Sequence, residues 1–290
     1  MSDLSQFVFS GLTTGSIYAL AALGFTLIYN ASGVINFAQG DFLMLGGMIT
    51  SASLAMGLPM PVAIVAALAI TTLIGVLLYQ LAIRPAGETS VVSLIIITIG
   101  ASTFIQGAVQ ILLGKNQFTL PSFSGDASLQ LLGAYVLPQS LWVIGVGTVL
   151  VVACALFFHF TLLGKALLAV AANRLAAQAV GINSGRILRL SFGLSALIGA
   201  VAGIVAAPIT TTTYDLGLML GLKGFVAATL GGLNSGVGAV LGGLLVGLLE
   251  ALVAGYISSA YKDAVPFVLI IFVLLVLPNG LLGAKSTERV

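Results

Sequence analysis

Three side chains able to hold polar or charged groups, Asn36, Gln39 and Asp41, lie in the run Asn36-Phe37-Ala38-Gln39-Gly40-Asp41-Phe42, which interrupts an apolar stretch. A carboxylate and two amides are costly in hydrocarbon, so they must face protein, water or the interface. Two readings stay open. The side chains line a polar pathway, or Asp41 marks a helix start, where its charge favours the positive end of the macrodipole and its oxygens can bond free amides. Glu250 and Asp215 are the other acids near apolar segments, too few for a proton relay, and His159 is the only histidine. One imidazole without Cys or carboxylate neighbours is not a metal site.

No other constellation carries chemistry. There is no Gly-x-Ser-x-Gly elbow and no His-Glu-x-x-His, and Gly283-Ala284-Lys285-Ser286 lacks the adjacent Gly-Lys of a phosphate-binding loop. We therefore assign no catalytic residue, no metal and no cofactor to the chain. If it moves a substrate uphill with ATP, another polypeptide must hydrolyse it.

The elements that position these residues follow from composition. Only 6% of the 290 residues are charged while 59% are hydrophobic, and the mean hydropathy is +1.20. Such a chain cannot make the charged surface of a soluble domain, and its net charge of +2 gives a nucleic acid no electrostatic footprint. Apolar segments of bilayer-spanning length fall at about 8–29, 33–57, 60–83, 91–113, 141–162, 187–212, 236–256 and 264–282. The fold class is all-α: one polytopic membrane domain over residues 1–290. No Lys or Arg precedes Arg84, so the first segment lacks the basic start of a signal peptide and is expected to stay as a span. Cys154 is the lone cysteine, which excludes an intrachain disulfide.

Charge sets the expected topology. The region from Gly164 to Gly185 and just beyond carries Lys165, Arg174, Arg186 and Arg189 with no acid, whereas the 114–140 loop is rich in Pro, Ser, Gly and Gln. The positive-inside rule puts 164–185 in the cytoplasm and 114–140 in the periplasm with the amino terminus; alternation then puts the segment around Arg84 to Ser90 and the tail with Lys285 and Arg289 inside too. Eight spans cannot join an external start to an internal end, so a ninth crossing is required. The candidate is Leu222 to Asn234, a Gly-rich stretch too short for a full span and read as a broken or half-length helix. Irregular backbone at that depth belongs near a pathway or a helix interface, which adds Lys223 and Asn234 to Asn36, Gln39 and Asp41 as candidate pathway residues. Glycines spaced by four, Gly199 with Gly203, Gly232 with Gly236 and Gly238 with Gly242, are read as close helix contacts.

The 164–183 loop is Ala- and Leu-rich, which favours a helix stopped by Gly181. It either docks in a partner's groove or lies on lipid headgroups.

Four ordered motifs resemble one family. They are the Asn36 to Phe42 run, the 164–183 loop ending in Ala-Val-Gly-Ile-Asn, the stretch Gly221-Leu-Lys-Gly-Phe-Val-Ala-Ala-Thr-Leu-Gly-Gly-Leu-Asn-Ser, and Leu277-Pro-Asn-Gly-Leu-Leu-Gly. Together they look like the permeases of branched-chain amino acid ABC transporters, and the likeness spans nearly the whole chain. The resemblance implies an importer subunit of the bacterial inner membrane that works by alternating access. It also implies a second related permease, two cytoplasmic ATPase subunits that use ATP, and a periplasmic substrate-binding protein. By the same resemblance the 164–183 helix couples to the ATPase, with Lys165, Asn173, Arg174, Ala176, Gln178 and Gly181 as its candidate contacts. Gln39 stands where the family often has His, and Leu168 and Asn173 where basic and acidic residues are common, so coupling is expected to rely on apolar packing with Lys165 and Arg174. Alternatives are an ABC permease for urea, amides, aromatic acids or sugars, and a solitary secondary transporter. The latter is expected to carry intramembrane ion-coupling carboxylates or an inverted repeat, and neither is visible in the sequence.

Overall fold

The computed structural model describes residues 2–87, 89–277 and 279–283; Lys285, Arg289 and most of the 283–286 run lie outside the described residues. The helices are α1 (Ser2–Ser32), α2 (Gln39–Ala55), α3 (Met60–Leu78), which runs on through a π-helical turn (Tyr79–Ile83) into α4 (Arg84–Ala86), and α5 (Val91–Leu113). A hairpin of β1 (Leu129–Leu131) and β2 (Ala134–Val136) follows, then α6 (Pro138–Phe160), α7 (Leu162–Ala172), α8 (Arg174–Ala179), α9 (Ser184–Thr210), α10 (Leu216–Gly231) and α11 (Gly236–Tyr256). A 3-10 turn (Ser259–Ala264) leads into α12 (Val265–Val276). Among the described residues, 7 helices are long and apolar enough to cross a membrane, and α10 is a shorter apolar helix. The protein is an all-helical, polytopic membrane protein.

The expected span at 33–57 is divided. Residues 33–38 are non-helical, and α2 begins only at Gln39 and has 17 residues. Its register shows where that start lies. Gln39 packs beside Ser195, Phe42 meets Gly199, and Gly47 meets Gly203 and Ala207, so α2 runs parallel to α9. Ser195 is about three turns, or roughly 16 Å, into α9. Residues 33–38 therefore re-enter the protein, and α2 starts in its interior. After α9 the chain does the same from the other end: Thr211 turns back at φ +48, a conformation rare for a β-branched residue, and α10 starts against α2. A Cβ on Gly40 would overlap the Gly217 carbonyl, and one on Gly217 would lie 2.9 Å from the Asp41 Cα. The expected half-length helix thus exists as α10, but it starts at Leu216 rather than Leu222 and ends at Gly231. It has a counterpart in α2.

These two helices are the centres of an inverted repeat, α1–α2–α3 against α9–α10–α11. α2 lies parallel to α9, and α10 lies parallel to α1, with Lys223 near Tyr18, Gly224 near Ala21 and Phe225 near Phe25. α3 packs antiparallel to α9, with Tyr79 near Gly185 and Gly75 against Phe192 and Ala196. α11 packs antiparallel to α1 in the equivalent way, Gly243 against Ala19 and Gly247 against Gly15. Small residues hold this seam together, because backbones that touch gain dispersion energy that apolar burial cannot supply in lipid. The repeat corrects the sequence reading, which found none.

The two ends of the bundle carry different loops. At one end Gln6 bonds both the amide and the carbonyl of Tyr135 at 2.9 Å, and Phe118 pairs with Thr212, so the start of α1, the 114–140 loop and the end of α9 share a face. At the other end Leu167 and Leu168 of α7 line one pocket with Asn30 of α1 and Asn234. The expected 164–181 helix is broken in two. Asn173 adopts φ −159 and ψ 107, and its side chain caps α8 by accepting from the Ala176 amide at 3.0 Å. Gly181 does stop it, at φ +89.

The glycine expectations divide as well. Gly199 and Gly203 meet α2, and Gly238 and Gly242 meet Gly231 and Ala227 of α10. Gly232 and Gly236 are not a helix stripe. Gly232 sits in the α10–α11 turn at φ +101, and a Cβ on Gly236 would meet only the Leu23 side chain, at 3.5 Å.

Candidate functional site: the junction of two half-length helices

The start of α2 is built by its own sequence. The Asn36 side chain accepts from the Ala38 amide at 3.2 Å, and the Asn36 carbonyl accepts from Gln39 N at 3.1 Å, which folds the re-entrant segment into the first turn. Asn36, Gln39 and Asp41 are all fully buried. Gln39 is a tie between three helices: Nε2 donates to the Ser195 carbonyl at 3.3 Å, and the Ser195 hydroxyl donates to Oε1 at 2.5 Å, with the Gly24 carbonyl of α1 2.9 Å away. A Cβ on Gly24 would overlap the Gln39 amide and push it out of these bonds.

Asp41 faces α5 and the start of α10. Gln106 Nε2 donates to Oδ1 at 2.9 Å and also reaches Ser102 Oγ at 3.2 Å, while one turn below, Thr98 Oγ1 accepts from the Phe37 amide at 3.2 Å. A Cβ on Gly217 would stand 2.6 Å from Asp41 Oδ1, so the carboxylate lies at the positive ends of both α2 and α10. Asp41 Oδ2 and Asn36 Nδ2 are buried and have no protein partner. Both sequence readings of Asp41 therefore hold in part: it does sit in a first helical turn, but that turn is inside the protein. Beside this polar cluster, α2, α3 and α5 line an apolar crevice of about 720 Å³, open on its outer side, whose walls include Leu45, Ile49, Ile74, Ile97 and Ile105. Leu45 is one turn from Asp41, and Ile105 adjoins Gln106.

Lys223 is buried elsewhere on α10. Its Nζ donates to Glu250 of α11 at 2.5 Å, to Asp263 at 2.6 Å and to the Tyr18 hydroxyl of α1 at 3.1 Å. Glu250 Oε2 is left without a partner. Asn234 is exposed at the far end, where its carbonyl faces the Asn30 amide at 3.4 Å. The five candidate pathway residues thus occupy three places, with Asn36, Gln39 and Asp41 together. Sequence reading missed Gln106, Ser102, Thr98, Ser195 and Tyr18. Thr98, Ser102 and Gln106 had a visible signal, polar residues spaced by four in an apolar segment.

The motif at 277–283 has a plain structural role. The amides of Leu281 and Leu282 donate to the carbonyls of Leu230 and Gly231 at 2.8 and 3.0 Å, satisfying the C-terminal end of α10. Lys165, Asn173, Arg174, Ala176, Gln178 and Gly181 are all exposed, together with Leu162, Leu163, Leu168, Leu175 and Val180. The α7–α8 unit therefore offers a mixed apolar and basic surface.

Comparison with known proteins comes to the same architecture. The family described as branched-chain amino acid transport system, permease component, matches residues 7–274. The chain is 36% identical to the high-affinity branched-chain amino acid transport system permease protein LivH of Salmonella typhimurium, over 98% of this chain and 97% of that protein. It is 34% identical to the corresponding protein BraD of Pseudomonas aeruginosa, over 99% and 98%. A more distant relative is the ribose import permease protein RbsC of Escherichia coli, at 25% over 93% and 84%. Among solved structures, PsaBC from Streptococcus pneumoniae in complex with Fab shares the fold at a TM-score of 0.51 and 16% identity, covering 94% of this chain and 92% of that one.

Proposed function

Since the chain belongs to the family of branched-chain amino acid transport system permeases, we propose that it is the membrane-spanning subunit of an ATP-driven importer of branched-chain or other amino acids in the bacterial inner membrane. ATP hydrolysis takes place on separate subunits that dock on α7–α8, and a second related permease completes the pathway. A periplasmic binding protein delivers the substrate to the face formed by α1 and the 114–140 loop.

The observation that carries this reading is the family match over residues 7–274, and the meeting of α2 and α10 at Gly40 and Gly217 inside an inverted repeat supports the place where the substrate would cross. In such repeats the substrate site lies near the crossing of the broken helices, and alternation is a rocking of one half against the other. The surroundings suit an amino acid. Asp41, Asn36 and Gln106 offer polar groups for its charged backbone, and the apolar crevice one turn away suits a branched side chain. The coupling surface fits the same reading, since exposed leucines on α7 and α8 need cover.

Reconstituted vesicles test it. With ATPase subunits and a binding protein present, labelled leucine uptake should require ATP. Leucine uptake by this chain alone, driven by an ion gradient, would overturn the proposal in favour of a solitary transporter.

A further inference from the structure

A groove of about 340 Å³ runs along the seam of α3 and α9, away from the α2–α10 junction. Its α9 wall starts at Arg186 and Arg189 and ends at Leu194 and Leu197; its α3 wall is Thr72 and Val76. At its middle the two walls come close at Gly193, where a Cβ would lie 3.1 Å from the Val76 side chain. From Arg186 to Leu197 the helix rises about 16 Å. The groove is thus a slot, basic at one end and apolar along the rest, reaching from the start of α9 to the level of Ser195.

The basic end has unused hydrogen-bonding capacity. Neither arginine forms an ion pair among the described residues, where both ion pairs belong to Lys223. Arg189 Nε is buried without a partner, and so is the Thr72 hydroxyl on the opposite wall. A guanidinium pair calls for a phosphate or carboxylate, and an apolar slot beneath it calls for a hydrocarbon chain. One class of molecule at this depth has both.

We propose that the groove binds an anionic phospholipid of the cytoplasmic leaflet, its phosphate on Arg186 and Arg189 and an acyl chain along Val76, Leu194 and Leu197. The sidedness rests on the charge-derived topology, which puts the start of α9 in the cytoplasm, where the leaflet is anionic. The lipid would wedge the outer face of the seam between α3 and α9, which belong to opposite halves of the inverted repeat. That makes it a natural modulator of their relative motion.

Native mass spectrometry of the full-length protein, released from mixed micelles of phosphatidylcholine and phosphatidylglycerol, tests the idea. The protein should retain phosphatidylglycerol in preference to phosphatidylcholine. R186Q/R189Q should weaken that retention about thirty-fold, equivalent to about 2 kcal/mol at about 1 kcal/mol per basic residue. R186K/R189K, which keeps the charge, should retain most of it and shows that loss in the first variant is not misfolding. Equal retention of both lipids by the unaltered protein would overturn the proposal, as would retention unchanged in R186Q/R189Q. Displacement of phosphatidylglycerol by millimolar inorganic phosphate would also overturn it, since the site would then read an anion and not a lipid. So would efficient cross-linking of a Cys at Leu197 to another polypeptide in the membrane, because a protein surface would then fill the slot. None of these results depends on transport, so the reading of the chain as an amino acid permease stands or falls separately.

Discussion

Replacing Lys223 by Met should be among the most damaging single changes in this protein, and the reason is countable. The ammonium is shared by Glu250 at 2.5 Å and Asp263 at 2.6 Å, and Lys223 and Glu250 side chains are 6% and 7% exposed. Without Lys223, the buried Glu250 carboxylate loses the one counter-charge it has among the described residues and faces Asp263. Breaking a buried pair by removing one partner costs about 3–5 kcal/mol. Replacing Glu250 by Met should cost less, because Lys223 keeps Asp263, whose side chain is 50% exposed and partly solvated. Replacing both by Met leaves an apolar contact between α10 and α11 and should recover most of the loss. Unfolding of the purified variants in mixed detergent by SDS titration gives the order: Lys223→Met worst, the double variant near the unaltered protein. Uptake by the double variant in reconstituted vesicles then decides whether the Lys223–Glu250 pair belongs to the pathway. A stable double variant that no longer transports assigns the pair a role in the pathway, and one that transports normally makes it a structural tie. If Lys223→Met proves no less stable than Glu250→Met, the geometric reasoning fails.

Three further outcomes are expected. In a Cys154→Ala background, a Cys at Ser128 should react with an impermeant thiol reagent in cells with an intact inner membrane, and a Cys at Gln178 should not; the reverse pattern sinks the sidedness. Gly217→Val should abolish monodisperse protein on size-exclusion chromatography, because its Cβ would lie 2.6 Å from Asp41 Oδ1 and 2.9 Å from the Asp41 Cα, whereas Gly236→Leu should be tolerated. Equal yields of the two would contradict the junction. Arg174→Glu should lower transport and substrate-stimulated ATP hydrolysis together at normal membrane levels, since a misplaced charge at a buried interface costs roughly 2–5 kcal/mol. Normal values of both would leave α8 a helix on lipid headgroups.

The all-helical membrane class and the presence of a short Gly-rich helix were legible because they depend on a bulk property, hydropathy, whereas the number of full-length spans was not, seven being found among the described residues where eight were expected. Nor was depth. Residues 33–57 are apolar enough to pass for one span, and nothing in Gly33-Val34-Ile35 tells that the helix is interrupted there, with Gly33 at φ +71. The Asn36 side chain on the Ala38 amide does so, and that bond is a matter of three-dimensional accounting. The same holds for Gln39, whose partner Ser195 is far away in sequence. Spacing misled in the case of Gly232 and Gly236, since a four-residue interval signals a helix face only when both residues are helical, and Gly232 is at φ +101.

The inverted repeat was hidden for a deeper reason. Its two halves need to share geometry, not chemistry: each must supply a long helix, a re-entrant turn, a short helix with glycine at its start, and a long helix to pack against the other half. Gly40 and Gly217 satisfy that need with different neighbours, Gln39 and Asp41 in one half and Leu216 and Leu218 in the other. The asymmetry matters for function. Both short helices direct positive ends at the junction, but only α2 contributes a buried carboxylate, with Gln106 as its partner. A rocking motion that separates Gly40 from Gly217 would take the α10 end away from Asp41 while leaving Gln106 in place. The electrostatic surroundings of Asp41 would then differ between the two states, and a bound ammonium group would be held differently in each. Such a difference in affinity between states is what any coupling of substrate to alternation requires.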